Sequence, residues 1–362
     1  MWIRRIATVT AAVTVALSAT TGPGRAGGPD EPILADVNRD GRADRNTLGH
    51  LPGPGQCVVT VELALPGGGY APAQPYPYLS APYCPDMGVG LDLDGDVAAE
   101  LAVTWFSGPP PSVDHTLLVL DDFAVSAGFD TIFQPSYIGT ADFNGDGRQD
   151  IYEWTDQGDG FTTYLNTGAG ALSPGPVRHC SGRPEFQLAD FDADSAVDVV
   201  IGYFEGCGSY FSGVVVVLDD GTVVDLKGDV HGDDHWTVEA LDVNGDGHLD
   251  VRTTSTMTGS QEVFLGTGTG TFHPSPTAIL DNFRVSGLRA TNLAVRANDF
   301  ATAAARLSVV TPPMYGTVQI TSAGTVVYRP DPDARSLSDR FVYRLTEAGR
   351  ASNAAVNLRL VR

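Results

Sequence analysis

Five short segments of this chain place oxygen-bearing side chains at every second position. ADVNRDGRAD carries Asp36, Asn38, Asp40 and Asp44, LDLDGDVAAE carries Asp92, Asp94, Asp96 and Glu100, and ADFNGDGRQD carries Asp142, Asn144, Asp146 and Asp150. ADFDADSAVD follows with Asp190, Asp192, Asp194 and Asp198, and LDVNGDGHLD with Asp242, Asn244, Asp246 and Asp250. A tight turn converges side chains from alternate positions, and a hard cation such as calcium takes six to eight oxygens at roughly 2.3 to 2.6 Å. Calcium binding is therefore the chemistry this spacing fits, with about five sites. Magnesium would demand a smaller and more regular shell.

The third segment also has Glu153 at its twelfth position, as an EF-hand loop would. Elsewhere that position holds Thr47, Val103, Ile201 and Thr253, so Glu153 reads as a coincidence. The shared pattern is D-x-(D/N)-x-D-x-x-x-(D/E), flanked by strand and turn language rather than helices. Position six of such turns commonly needs a left-handed backbone, and it holds Gly41, Val97, Gly147, Ser195 and Gly247. A non-glycine residue there costs about 1 to 2 kcal/mol, so Val97 and Ser195 mark strained loops. Nearby Gly95 gives the second loop another place to bend. Against the strain, the Val97 and Ser195 loops carry four carboxylates where the others carry three and an asparagine.

The first aspartates of successive loops are 56, 50, 48 and 52 residues apart. That period suits one four-stranded sheet per repeat. Around the loops, apolar alternation is broken by glycine, as in GFTTYLNTGAGALSP and QEVFLGTGTGTFHP, and no amphipathic helix of useful length occurs between residues 30 and 285. Units of this kind bury a core only by packing on their neighbours.

The loop, with an apolar strand before it and a Y-L-N-T-G-type turn about twenty residues after it, resembles the FG-GAP or VCBS repeat of the integrin alpha-chain propeller and many secreted bacterial proteins. The resemblance covers residues 30 to 285 and implies a β-propeller with about five visible blades. It implies a further calcium ligand from the carbonyl at loop position seven, here Arg42, Ala98, Arg148, Ala196 and His248. The better-known integrin propellers have seven blades. Five loops would build a smaller ring, leave degenerate blades hidden, or leave closure to another chain.

Residues 286 to 362 change character. Asn298 and Asp299, Pro313 with Gly316 to Val318, Tyr328 with Pro330, and Asp339 with Phe341 and Tyr343 resemble the signature of the bacterial Ig-like or cadherin-like module. A single β-sandwich is the expected fold. Where that family carries further acids after the Asn-Asp pair, Phe300, Ala301 and Thr302 stand here. The fold class is thus all-β, a propeller followed by a sandwich.

The opening MWIRRIATVTAAVTVALSATTGPGRAG has the layout of a secretory signal peptide, residues 1 to 26, with cleavage expected between Ser18 and Ala26. The expected product is secreted, without stable membrane insertion after cleavage. The formal charge of −22 becomes −25 once Arg4, Arg5 and Arg25 are removed. Residues 286 to 362 hold ten arginines against five acids, which leaves −30 for residues 27 to 285. Such a surface repels nucleic acid and anionic membranes, so neither is an expected partner. Five calcium ions would offset ten of those charges. Of the four cysteines, Cys57 and Cys84 are 27 residues apart, as are Cys180 and Cys207. Their places in the repeat favour these two local disulfides.

Other candidate chemistry is thin. His231 and His235 are spaced as metal ligands on a helix, but Gly232, Asp233 and Asp234 between them favour a solvated turn. Tyr76, Tyr78 and Tyr83 in PYPYLSAPYC offer stacking surfaces for sugar rings, with packing between blades the simpler use. There is no nucleophile-elbow serine, no H-E-x-x-H and no phosphate-cradling loop. The expected function is adhesion or binding of an extracellular protein or glycan. The rival readings are an extracellular polysaccharide-degrading hydrolase or lyase on the same scaffold, and an inert envelope component.

Overall fold

The computed structural model describes residues 31–52, 55–106, 116–132, 135–155, 160–206, 210–321, 324–333 and 336–361. The expected signal peptide lies outside them. Among the described residues there is strand and turn and no helix.

Five four-stranded antiparallel meanders follow one another. The first comprises β1 (Ile33–Ala35), β2 (Asp44–His50), β3 (Gln56–Glu62) and β4 (Gln74–Ser80). The second comprises β5 (Met87–Leu91), β6 (Glu100–Thr104), β7 (Thr116–Asp121) and β8 (Ala124–Asp130), and the third β9 (Tyr137–Ala141), β10 (Asp150–Thr155), β11 (Gly160–Asn166) and β12 (Leu172–His179). The fourth comprises β13 (Ser181–Ala189), β14 (Asp198–Gly206), β15 (Ser212–Val217) and β16 (Val223–Asp229), and the fifth β17 (Trp236–Leu241), β18 (Asp250–Ser255), β19 (Gln261–Gly266) and β20 (Phe272–Pro274). Each acidic segment is the loop between the first and second strands of its sheet, as the repeat predicts.

The strands of the inner sheets are apolar on both faces because each of those sheets is sandwiched by its neighbours. In β14 and β15 the two parities separate cleanly. Val199, Ile201, Val215 and Val217 join Phe143, Tyr152 and Phe161 of sheet three, whereas Val200, Val214 and Val216 join Trp236, Val238 and Phe264 of sheet five. Equivalent cores link sheets one and two through Ile33, Val59 and Leu101, and sheets two and three through Val89, Val119 and Ile151. Five sheets thus share four cores. Among the described residues no hydrophobic core joins sheet five to sheet one.

The C-terminal unit has two sheets. One runs β21 (Asp281–Ser286), β27 (Arg350–Val361), β26 (Ser338–Glu347) and β23 (Arg306–Thr311), and the other β22 (Thr291–Leu293), β25 (Val326–Pro330) and β24 (Gly316–Ile320). Both contribute to one core, including Val285, Leu293, Val326, Tyr328, Phe341, Tyr343 and Val356. The strand β21 begins before residue 286, so this unit takes up a few residues assigned above to the repeats. Signature residues are polar anchors within it. The Tyr343 hydroxyl donates to Asp299, 2.7 Å from Oδ1, and the Tyr328 hydroxyl donates to Asp339 Oδ2 at 2.7 Å.

Cys57 and Cys84 form a disulfide, as expected. Cys180 is also disulfide-bonded, while its expected partner Cys207 lies outside the described residues.

Glu153 does not face the acidic loop. It sits on the side of β10 that carries Ile151, opposite Ile138, between sheets two and three, and is fully buried. Neither carboxylate oxygen has a full hydrogen bond, and burial pushes its pKa up to about 8, weakly opposed by the Ile132 amide and by Tyr164 and Thr131. A carboxyl whose folded pKa exceeds its unfolded value favours folding when protonated. That advantage is full below about pH 4.5 and is lost as pH rises toward 8. Glu153→Gln should therefore raise Tm by several degrees at pH 8.5 and change it little at pH 4.5. Equal effects at both pH values in melting curves would contradict this.

Candidate functional site

Each acidic loop is built by the same three sets of hydrogen bonds. The position-one carboxylate reaches across the turn to the position-six amide. Asp36 accepts from Gly41 at 2.6 Å, Asp92 from Val97 at 3.0 Å, Asp142 from Gly147 at 2.8 Å, Asp190 from Ser195 at 3.0 Å and Asp242 from Gly247 at 3.0 Å. The position-five carboxylate accepts the position-seven amide: Arg42 on Asp40 at 3.0 Å, Ala98 on Asp96 at 2.9 Å, Arg148 on Asp146 at 2.9 Å, Ala196 on Asp194 at 2.8 Å and His248 on Asp246 at 2.9 Å.

The third set carries more energy. The position-nine acids are buried at the root of the loop, Asp44, Asp150, Asp198 and Asp250 completely and Glu100 nearly so. In four of them the two oxygens are divided between the loop and the end of the third strand. Asp44 accepts from Val37 at 3.2 Å and Ala64 at 2.7 Å; Asp150 accepts from Phe143 at 2.8 Å and Asn166 at 2.7 Å. Asp198 accepts from Phe191 at 2.7 Å and Asp219 at 2.8 Å; Asp250 accepts from Val243 at 2.8 Å and Gly266 at 2.9 Å. Glu100 takes the Leu93 amide at 2.6 Å. The position-nine acid is thus a backbone clamp whatever else it does. Burial is the main cause that raises four of these carboxyls, Asp198 to about 7 and Asp150 to about 6, with Glu100 and Asp250 raised in the same direction. Backbone amides oppose the shift and neighbouring loop acids add to it.

Position six is left-handed in all five loops, with φ between 79° at Gly41 and 89° at Gly247. Val97 at 80° and Ser195 at 81° are strained residues. Gly95 does not relieve Val97. Position four is left-handed as well, through Arg39, Gly95, Gly145, Ala193 and Gly245, so the second loop bends at both places.

The carboxylates converge to different degrees. Asp92, Asp94 and Asp96 bring one oxygen each within 4.8 Å of one another, as do Asp190, Asp192 and Asp194. In the other three loops the asparagine amide turns to its neighbour: Asn38 donates to Asp40, Asn144 to Asp146 at 3.0 Å and Asn244 to Asp246 at 2.8 Å. The fourth loop holds a second group, Asp192 with Asp198 and Asp219, and Asp192 Oδ1 is buried without a partner. Sequence reasoning missed Asp219. Its signal was positional: it lies just past the end of β15, as Asn166 closes β11, and its amide does the same work on the clamp.

The loops are also tied to one another. The Ala99 amide donates to the Asp36 carbonyl at 2.8 Å and Val197 to the Asp142 carbonyl at 2.8 Å. Asn166 Nδ2 reaches the Asp92 carbonyl at 2.8 Å, and Arg39 pairs with Asp96. The first four loops therefore lie on one end of the sheets.

The remaining candidates are structural. His231 and His235 lie in a turn organised by Asp229, which accepts the amides of His231, Asp233 and Asp234. Tyr76 packs on Phe123 of sheet two with ring centroids 4.5 Å apart, the Tyr78 hydroxyl is buried, and Tyr83 is exposed.

No family model matches the chain, and no curated protein matches it. Among solved structures, it is similar to an endo-fucoidan hydrolase from glycoside hydrolase family 107, at 12% identity and a TM-score of 0.22, over 70% of this chain and 38% of that one. The chain thus spans well under half the length of that enzyme, and a likeness of this size defines neither fold nor activity.

Asp150→Ala should leave the buried Phe143 and Asn166 amides unpaired, at about 1 to 3 kcal/mol each. We expect urea unfolding to report a loss of about 2 to 6 kcal/mol, against less than 1 kcal/mol for Asp142→Asn. Equal losses would refute the clamp.

Proposed function

We propose that the chain is a secreted, calcium-binding β-propeller of the FG-GAP or VCBS kind, followed by an Ig-like sandwich, and that it serves as an adhesion or ligand-binding module for an extracellular protein or glycan. The observation that carries this reading is the repetition of one clamped acidic loop in five consecutive meanders. Four of the five seams that a five-bladed ring needs already hold hydrophobic cores. The donor set fits calcium: exposed carboxylates converge in the second and fourth loops, in the fourth beside a buried acid whose charge is unfavourable without a counter-ion. A bound divalent cation would favour the charged form, reversing the effect of burial. Positions one, three, five and nine would supply side-chain oxygens, the carbonyl at position seven would add one, and Asp219 would join the fourth site.

The carboxylates are committed to the loops or clamps, and a cation-bound carboxylate is a poor general acid or base, which favours binding over hydrolysis. A glycan array beside a reducing-sugar release assay separates the two. Release of reducing ends that survives purification would support the enzyme reading instead.

Calcium that binds only the folded state adds about 2.7 kcal/mol per site at a hundredfold excess over Kd. Chelation with EGTA should lower Tm by many degrees, and coincident melting curves would reject the metal reading. Among the sites, strain at Val97 should make the second loop the weakest and the loops at Asp142 and Asp242 the tightest. Val97→Gly should tighten one calorimetric site about tenfold, or roughly 1.4 kcal/mol. Equal or weaker binding would show that charge outweighs strain.

A further inference from the structure

Acids outnumber lysines and arginines in this chain by 44 to 22, yet one face of the C-terminal unit reverses that balance. In the sheet of β21, β27, β26 and β23, alternate residues turn away from the core. The outward positions carry Arg284, Arg359, Arg340, Arg344 and Arg306, all exposed. No outward position carries an acid, since Asp281, Asp339 and Glu347 fall on the inward parity. Among the described residues, none of the five arginines belongs to an ion pair.

The register places the five in a line. Arg284 and Arg359 are direct neighbours on parallel strands, and one row away on the same face the Asn357 amide donates to Asn282 Oδ1 at 3.1 Å. Arg359 stands opposite Ser338, so Arg340 lies one row on, and Arg344 follows two rows further along the same strand. Arg344 stands opposite Ser308, with Arg306 one row beyond on the edge strand. With strands about 4.8 Å apart and alternate residues about 6.8 Å apart, this diagonal runs for about 30 Å. Its first step sets two like charges side by side, which destabilises a sheet unless an anion lies between them.

Solubility requires no such line, because a solvated surface is served by charges of both signs mixed. An arginine fork takes a carboxylate, or a tetrahedral anion such as sulfate, through two parallel N–H donors, so five in a line suit an extended molecule with anionic groups spaced along it. Between the arginines the face offers Asn282, Asn353, Asn357, Ser338 and Thr346, neutral groups that exchange hydrogen bonds with sugar hydroxyls. It holds no aromatic side chain on which nucleic acid bases could stack, and no leucine or aromatic residue to enter a membrane. The charge of −30 on residues 27 to 285 further disfavours a polymer as densely charged as nucleic acid. We propose that this face binds a linear anionic polysaccharide, its carboxylate or sulfate groups seated in the arginine forks. The proposal deepens the glycan arm of the function proposed above and rests on that arm, but not on the metal.

The test uses the full mature chain and calorimetric titration with hyaluronate as the carboxylated probe, dextran sulfate as the sulfated one, uncharged dextran, and single-stranded oligothymidylate. At least one of the two anionic polysaccharides should bind saturably, and dextran should not. Raising salt from about 0.05 M to about 0.2 M should weaken that binding at least about tenfold. Arg340→Gln and Arg344→Gln should each weaken it at least about fivefold and keep the wild-type Tm, since both side chains are exposed. Arg329→Gln makes the same charge change on the outward face of the other sheet and should alter binding by less than about twofold. Binding of neither anionic polysaccharide, tighter binding of the oligothymidylate, or an equal loss in Arg329→Gln would overturn the proposal. So would salt-sensitive self-association that disappears in Arg340→Gln, which would assign the face to the acidic repeats of a second copy. A glycan array keeps the readings apart: neutral glycans bound without anionic ones sink only this inference, whereas an empty array beside a captured protein ligand sinks the glycan arm itself.

Discussion

The repeating part of this structure depends on a buried carboxylate that holds two backbone amides from different places. In each of four sheets the position-nine acid ties the start of the loop to the end of the third strand, with N–H to oxygen distances of 2.7 to 3.2 Å. Hydrogen bonds to a charged acceptor contribute about 1.5 to 3 kcal/mol each, but burying the acceptor's charge costs several kcal/mol. The raised pKa values of Asp150 and Asp198 record that competition. A structure that repeats such a cost gains something from a charge held at the root of each loop. A divalent cation nearby converts the cost into attraction, which is why the clamp and the proposed calcium site are best understood as one device.

The second constraint is that sheets buried on both faces need neighbours. Sheets two, three and four have them on both sides, and their strands are apolar at both parities. Among the described residues, sheets one and five each share a hydrophobic core with a neighbouring repeat on one face only. The face of sheet one turned away from its core carries the Arg45–Glu62 pair, with Arg45 lying over Tyr70. The corresponding face of sheet five carries the Arg252–Glu239 pair, and His273 there stacks on Phe300 of the C-terminal unit at 3.7 Å. Glu262, on the opposite face of β19, is paired with both Lys227 and Arg350. Among the described residues, these two faces therefore carry ion pairs where the other sheets carry hydrophobic cores, and that of sheet five also meets the C-terminal unit.

Much of this could be read from the chain. The 48 to 56 residue spacing led to four-stranded units, and the alternation of glycine-broken apolar segments led to the strands. The left-handed turn at Val97 and Ser195 followed from the glycines at the equivalent positions. Three things were not legible. The double duty of position nine depends on amides sixteen to twenty-one residues away, such as Asp219 from Asp198, and amides carry no sequence signal. That no core joins sheets five and one among the described residues depends on what faces what across sheets distant in sequence. Glu153 looked like a loop residue gone spare, whereas strand parity sends it into the core between sheets two and three.

The uneven loops can be understood from the same balance. A left-handed valine with 68% of its surface exposed gains nothing from packing, so its strain of about 1 to 2 kcal/mol is uncompensated locally. What the second loop has in return is a convergent triad, Asp92, Asp94 and Asp96, and an ion pair from Asp96 to Arg39 of the first loop. The first loop thus lends a cation where the second has an excess of charge. The fourth loop, with Ser195 strained in the same way, has no such ion pair among the described residues and adds a further acid, Asp219. Screening in solvent weakens the repulsion among exposed carboxylates but reaches Asp198 little, since that side chain is buried. Repulsion is therefore most concentrated in the fourth loop, where its relief by a divalent cation would be set against the backbone strain at Ser195.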